Sequence, residues 1–390
     1  MANKNLPIVN ATSGLKGRLA TALMPHPSDN AWLDLLRTLA ILLVFFRHGQ
    51  RVVHAGPDLN RLETLFINGW AGVDLFLVLS GYLVTKVLAR QFTEHGRINL
   101  TGYAKRRIRR VVPAYFFVLF LVVVGYFPFF QVSTDNLATR IGYHILFLQD
   151  YFPSDINVVF WSLGVEAKFY ALVPLLALPV LRLKSWASIF AVGLAVAAIS
   201  PLVRGVVFVT VDATEYYTFW NQLRSPFYAC LEPLMFGFLI AIFESRGFLR
   251  LSAQKGCYLF AISLAALFLF LSRQEFLAEI NLWDAAGQPI VLSLLFASLL
   301  VAAISMKEVH LPLNAAFRFG ARISYSLYLV HFPLIPVSSI ISKNIGLGAA
   351  GFWLVFVSLS LVHSLIILSY IEFPFMRPKS GREMTITSRR

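Results

Sequence analysis

AWLDLLRTLAILLVFFRHGQRVV, residues 31–53, decides how the rest of the chain is read. A helix of this length crosses a hydrocarbon core about 30 Å thick, yet this one carries Arg37, Arg47 and His48. A charge at the centre of a bilayer costs about 2.5–3.5 kcal/mol even on lenient insertion scales. Such a helix must therefore face a bundle interior or a wet cavity. Positions 37 and 48 are eleven apart, which returns to within roughly 20° of one helix face and rises roughly 16 Å. They mark one track, with a guanidinium that can grip a phosphate at one end and an imidazole that can move a proton further along. A second reading stays open here: Arg37 pairs with a helix carboxylate and His48 is hydrogen-bonded in the core.

The remaining sequence has the composition of a membrane protein. Of its 390 residues 57% are hydrophobic and only 14% charged, and mean hydropathy is +0.68, which leaves no room for a soluble domain. Hydrophobic runs predict an all-α, polytopic transmembrane helix bundle of about ten spans, at roughly 31–53, 69–89, 111–130, 161–181, 186–206, 225–245, 255–272, 288–306, 320–340 and 351–372. The apolar stretch from Ile141 to Leu148 is too short to span and is expected at the interface or as a re-entrant segment. Residues 1–30 read as a polar cytoplasmic tail without a secretory apolar region, 31–375 as the transmembrane domain and 376–390 as a second cytoplasmic tail.

A formal charge of +14 would point to nucleic acid in a soluble chain. Here most Lys and Arg fall in alternate connecting segments, as the positive-inside rule requires of an N-in/C-in topology. Nucleic acid is therefore not an expected partner; a multi-pass place in the cell's inner (plasma) membrane is. Cys230 and Cys257 fall near opposite faces, so no disulfide framework is expected, and no metal-ligand cluster is found. The string GLGAAG at 346–351 fits a dinucleotide fingerprint only as text, because no strand precedes it.

Other ionisable residues inside the spans need partners or a function: Asp34, Asp74, Lys86, Glu166, Lys168, Glu232, His331, His363 and Glu372. In GVDLFLVLSGYLVT, Asp74 begins a narrow face, and Ser80 with Gly81 would admit either a neighbouring helix or a ligand. YAKRRIRR, 103–110, reads as a basic cluster for anionic headgroups or for a polyphosphate ligand, with Arg106 and Arg109 foremost. FWSLGVEAKFY, 160–170, sets Glu166 and Tyr170 one turn apart below an interfacial Trp161. ISYSLYLVHFPLI aligns Ser324, Tyr328 and His331 on one face before Pro333 and Pro336, which should kink the helix.

Taken together these strings resemble the acyltransferase-3 family, integral membrane proteins that O-acylate cell-surface glycans and related acceptors. The resemblance runs through LDLLRTLAILLVFFRH, GWAGVDLFLVLSGYLVT, the basic loop into VVPAYF, FWSLGVEAKFYALVPLL, ISYSLYLVHFPL and IEFPF, in family order. It implies an acyl-CoA donor, usually acetyl-CoA, engaged as a co-substrate from the cytoplasm, and an extracytoplasmic or lipid-linked glycan acceptor. It makes His48 the general base, with Glu166 or Asp74 orienting His48 or the guanidinium. Arg37, Arg106 and Arg109, with Ser80 beside them, would hold the donor, and Trp161, Tyr170, Tyr328 and His331 would line the polar track toward the acceptor. The sequence closes at Arg390 without the esterase-like domain of fused members, so the chain is expected to finish the transfer itself or hand the acyl group on. A transporter or glycan flippase is the competing class, since polar tracks also mark substrate pathways. Nothing in the sequence sets an oligomeric state.

Overall fold

Apolar segments in lipid must satisfy their backbone groups internally, and this chain does so with helices. A computed structural model describes residues 30–54, 59–152, 156–276 and 279–376, together with 14, 17–19, 23 and 24. The two expected tails lie almost entirely outside the described residues. Among those residues there is no strand. The α-helices of nine or more residues are α1 (Ala31–Val53), α2 (Gly72–His95), α3 (Leu100–Val123), α4 (Leu137–Ile145), α5 (Trp161–Arg182), α6 (Trp186–Val211), α7 (Leu231–Ser245), α8 (Ala253–Ser272), α9 (Gln288–Ser305), α10 (Asn314–Val330), α11 (Ile335–Asn344) and α12 (Gly348–Ile367).

The protein is thus an all-α, multi-pass membrane bundle, as expected. Seven helical segments are long and apolar enough to cross, or eight if α10 and α11, bent by 63°, count as one broken span. The expected count of about ten is higher because two helices of sufficient length are not purely apolar. α1 has 23 residues but carries Asp34, Arg37, Arg47 and Arg51; α3 has 24 but begins with the basic cluster. Helix α4, at nine residues, is too short to cross at 1.5 Å per residue.

Close helix contact fixes the centre of the bundle. A side chain at Gly81 would strike the Leu234 carbonyl on α7, and one at Gly237 would strike the Val78 carbonyl on α2, so the two backbones approach through small residues from both sides. Gly81 therefore serves packing, while its neighbour Ser80 turns into a cavity.

Prolines free backbone carbonyls that water cannot reach, and side chains take them up. Pro333 leaves Leu329 without its helical donor, and the buried Asn157 amide binds that carbonyl at 3.2 Å. Pro174 does the same to Tyr170, whose carbonyl accepts from the Tyr103 hydroxyl at 3.0 Å. Ala229 and Ala285 stand four residues before Pro233 and Pro289, and both carbonyls accept from Arg204, at 2.5 and 2.6 Å. The Arg204 guanidinium also grips both oxygens of Glu232, at 2.9 and 2.8 Å. This buried pair joins α6, α7 and the approach to α9 into one knot.

Candidate active site

The bundle holds two chambers, each bordered by residues of α1, and a basin at the start of α3. The first chamber, about 280 Å³, is lined by Arg37, Ser80, Arg107, Arg110, Glu166 and Tyr170 among others. The second, about 980 Å³, holds His48 and an aromatic wall that includes Trp70, Trp161, Tyr216 and Trp220. Val73 and Tyr328 line both, so they form the partition between them. Arg37 and His48 therefore face different chambers that meet at this partition, rather than one open track. The basin, about 700 Å³, is lined by Lys105, Arg106, Arg107, Arg109 and Arg110.

In the basic chamber Ser80 donates to the Tyr170 hydroxyl at 3.3 Å, and Tyr170 donates to Glu166 at 2.9 Å. Arg107 lies over the Tyr103 and Tyr170 rings, 5.9 and 5.7 Å from their centroids, a cation–π arrangement that holds it at the chamber edge. Arg106 and Arg109, expected to bind the donor, line the basin alone; Arg107 and Arg110 line both basin and chamber. The sequence held a usable clue to this rotation. The buried stripe Val118, Ala114 and Val111, continued backwards at helical spacing, reaches Arg107 and the buried Tyr103. Arg37 has Asp34 one turn away at 3.5 Å, so the carboxylate partner considered as an alternative is present too.

The partition is held in place. Tyr328 donates to the Val159 carbonyl at 2.6 Å and lies 2.7 Å from the Ser162 hydroxyl. Behind the second chamber, His48 is half-buried with its ring 5.2 Å from that of His331 and 5.1 Å from Phe332. His331 is fully buried. Its Nδ1 sits 3.1 and 2.9 Å from the carbonyls of Leu327 and Tyr328. Two acceptors there require that Nδ1 carry the hydrogen, which leaves Nε2 a bare acceptor. That Nε2 has no protein partner.

Neither carboxylate expected to orient His48 bonds to it. Glu166 is engaged with Tyr170 in the other chamber, and Asp74 takes both of its bonds from Arg224, at 2.8 and 3.0 Å. Asp74 does orient a guanidinium, but that of Arg224 and not of Arg37. Arg224 is stacked between Trp70 and Trp161, 5.0 and 5.3 Å from their centroids, and Trp161 meets Trp220 edge-on at 5.5 Å. Sequence reading missed Arg224, Trp70 and Trp220, because they lie in short 3₁₀ and π-helical turns at or beside the ends of expected spans, where no periodicity marks an inward face.

A helical membrane bundle with a guanidinium-lined chamber, joined at a partition to a chamber holding an imidazole, defines a membrane-embedded group-transfer protein. Residues 30–369 match the Acyltransferase domain, and the chain belongs to that acyltransferase-3 family. It is similar to the O-acetyltransferase OatA of Staphylococcus aureus, in strain NCTC 8325 / PS 47 and in strain COL alike. Each is 27% identical over 329 residues, covering 78% of this chain and 50% of the relative. The chain thus spans about half the length of these curated relatives. No solved structure matches it.

Proposed function

We propose that this protein moves an acyl group, acetyl in the first instance, from acyl-CoA to a hydroxyl of an extracytoplasmic or lipid-linked saccharide. The carrying observation is the pair of chambers that meet at Val73 and Tyr328, arginines on one side and His48 on the other. Family membership and the names of the relatives support the reaction class.

The basic basin faces the cytoplasm of the inner membrane in this reading, since Lys and Arg clusters stay on that side. CoA phosphates meet the basin arginines, and Arg107 and Arg110 follow the donor inward. The thioester then reaches the partition. His48 removes the acceptor's hydroxyl proton, the oxygen attacks the thioester carbonyl carbon, the carbon–sulfur bond breaks, and the thiolate leaves and takes up a proton. His331 acts as a positioning residue: its open Nε2 is available to accept from the His48 ring packed beside it as the site tightens on its substrates, which would leave the other His48 nitrogen an acceptor toward the chamber.

The test uses the full chain in proteoliposomes with labelled acetyl-CoA outside the basin face and saccharide on the other. His48→Ala should lower label transfer about 10²–10⁴-fold, the usual worth of a positioned base. Arg107→Gln should raise the KM for donor more than Arg106→Gln does. Transfer by folded His48→Ala at the unsubstituted rate would end the assignment.

A further inference from the structure

The charge of the aromatic chamber is not balanced from within the protein. Three guanidiniums reach it, from Arg47, Arg51 and Arg224. Arg51 is paired with Glu275, and Arg224 holds both oxygens of Asp74. Arg47 is only 8% exposed, and among the described residues no carboxylate stands within ion-pair reach of it. Its Nη1 donates to the Ile67 carbonyl at 2.5 Å, Tyr216 is a second polar partner, and the carboxylate that attracts it, Glu275, is already paired with Arg51, which leaves donors of its five N–H groups open to the chamber. A buried cation without a counter-ion is costly in lipid, and a ligand that brings the missing charge would relieve it.

We propose that the acceptor is an anionic saccharide whose oxyanion, a carboxylate on the sugar or a phosphate attached to it, is held by Arg47. This rests on the acyltransferase reading of the same chamber. Two features fit a sugar of that kind. Trp70, Trp161 and Trp220 border the chamber with aromatic surface against which a pyranose can pack, and the planar fork of a guanidinium matches a carboxylate or phosphate with two parallel bonds. Arg47 directly precedes His48, and both border the chamber, so a bound oxyanion lies within one sugar unit of the hydroxyl that His48 would deprotonate. Arg47 then sets acceptor choice, because a neutral sugar leaves it unpaired.

The experiment titrates the full chain in nanodiscs with three probes, a hexuronate oligosaccharide, its neutral hexose counterpart and a hexose 1-phosphate, and follows quenching of tryptophan fluorescence. At least one charged probe should bind about tenfold or more tighter than the neutral one, and the tighter of the two names the source of the oxyanion. Arg47→Gln, which keeps a donor for the Ile67 carbonyl, should erase the preference, and Arg47→Lys should keep part of it. Equal binding of charged and neutral probes, absence of binding by all three, or a preference that survives Arg47→Gln overturns the proposal. Turnover of labelled acetyl-CoA on the same preparations reports separately on the reaction: charged-sugar selectivity without donor consumption sinks the acyltransferase reading, and with it the acceptor role, while Arg47 stays an oxyanion-binding residue.

Discussion

Arg204 and Arg47 are both arginines buried in the membrane region, and they are used in opposite ways. Arg204 bonds the carbonyls of Ala229 and Ala285 and both oxygens of Glu232; it borders neither chamber. Arg47 makes one bond to a carbonyl and opens onto a cavity of about 980 Å³. The difference teaches how to sort intramembrane charges. Where nearly every donor is answered by protein the residue holds helices together, and where donors stay open toward space the residue waits for a ligand.

The largest effect that would break this comparison lies at Arg204. Arg204→Ala removes one partner of a buried pair, which costs about 3–5 kcal/mol. It also orphans two carbonyls at about 1–3 kcal/mol each. The chain is expected to fail to accumulate in membranes. Arg204→Met with Glu232→Met, which would rescue a simple ion pair, should recover only part of the loss because the two carbonyls stay unanswered. Full recovery of the melting temperature would show that Arg204 is nothing more than one half of a salt bridge.

A middle-sized effect sharpens the comparison at His331. Its Nε2 is a buried acceptor without a partner, so exchanging the ring for an apolar one of similar size should cost only the Nδ1–H bond to the Tyr328 carbonyl, about 1–3 kcal/mol. Acyl transfer by His331→Phe should nonetheless fall about tenfold or more, with a changed pH profile, because His48 loses the neighbour that fixes its tautomer. An unchanged rate and profile would make His331 a packing residue of the knot type.

How much of this was legible beforehand depends on periodicity. Spans, the bend before Pro333 and the inward face of α1 follow from residue spacing, which a helix converts directly into direction. Chamber membership does not. The family resemblance offers Asp74 as a partner for His48 or the guanidinium, yet Arg224, more than a hundred residues further on, claims it through packing no local pattern encodes. Arg107 was assigned less weight than Arg106 because a run of five basic residues in six hides the helix rotation. His331 could be placed on a face with Tyr328, but its free Nε2 emerges only when both carbonyls around Nδ1 are in view.

The smallest expected effect concerns His144, at the end of the short helix α4 and outside the spanning segments. Its Nδ1 lies 2.7 Å from the Tyr115 hydroxyl. Burial, reinforced by Arg140, pulls its pKa from 6.5 down to about 4. The unfolded chain therefore binds this proton near pH 6.5 while the folded chain refuses it until about pH 4. Stability contributed by the neutral ring is complete above pH 6.5 and is lost as pH falls through that window. The melting temperature in detergent should drop progressively there, and His144→Gln should flatten the slope while leaving the midpoint at neutral pH nearly unchanged. Like Arg204, His144 is a polar group answered by protein and away from both chambers. Acyl transfer by His144→Gln at neutral pH should accordingly match the unsubstituted chain, and a selective loss of transfer without loss of stability would move this histidine to the other side of the comparison.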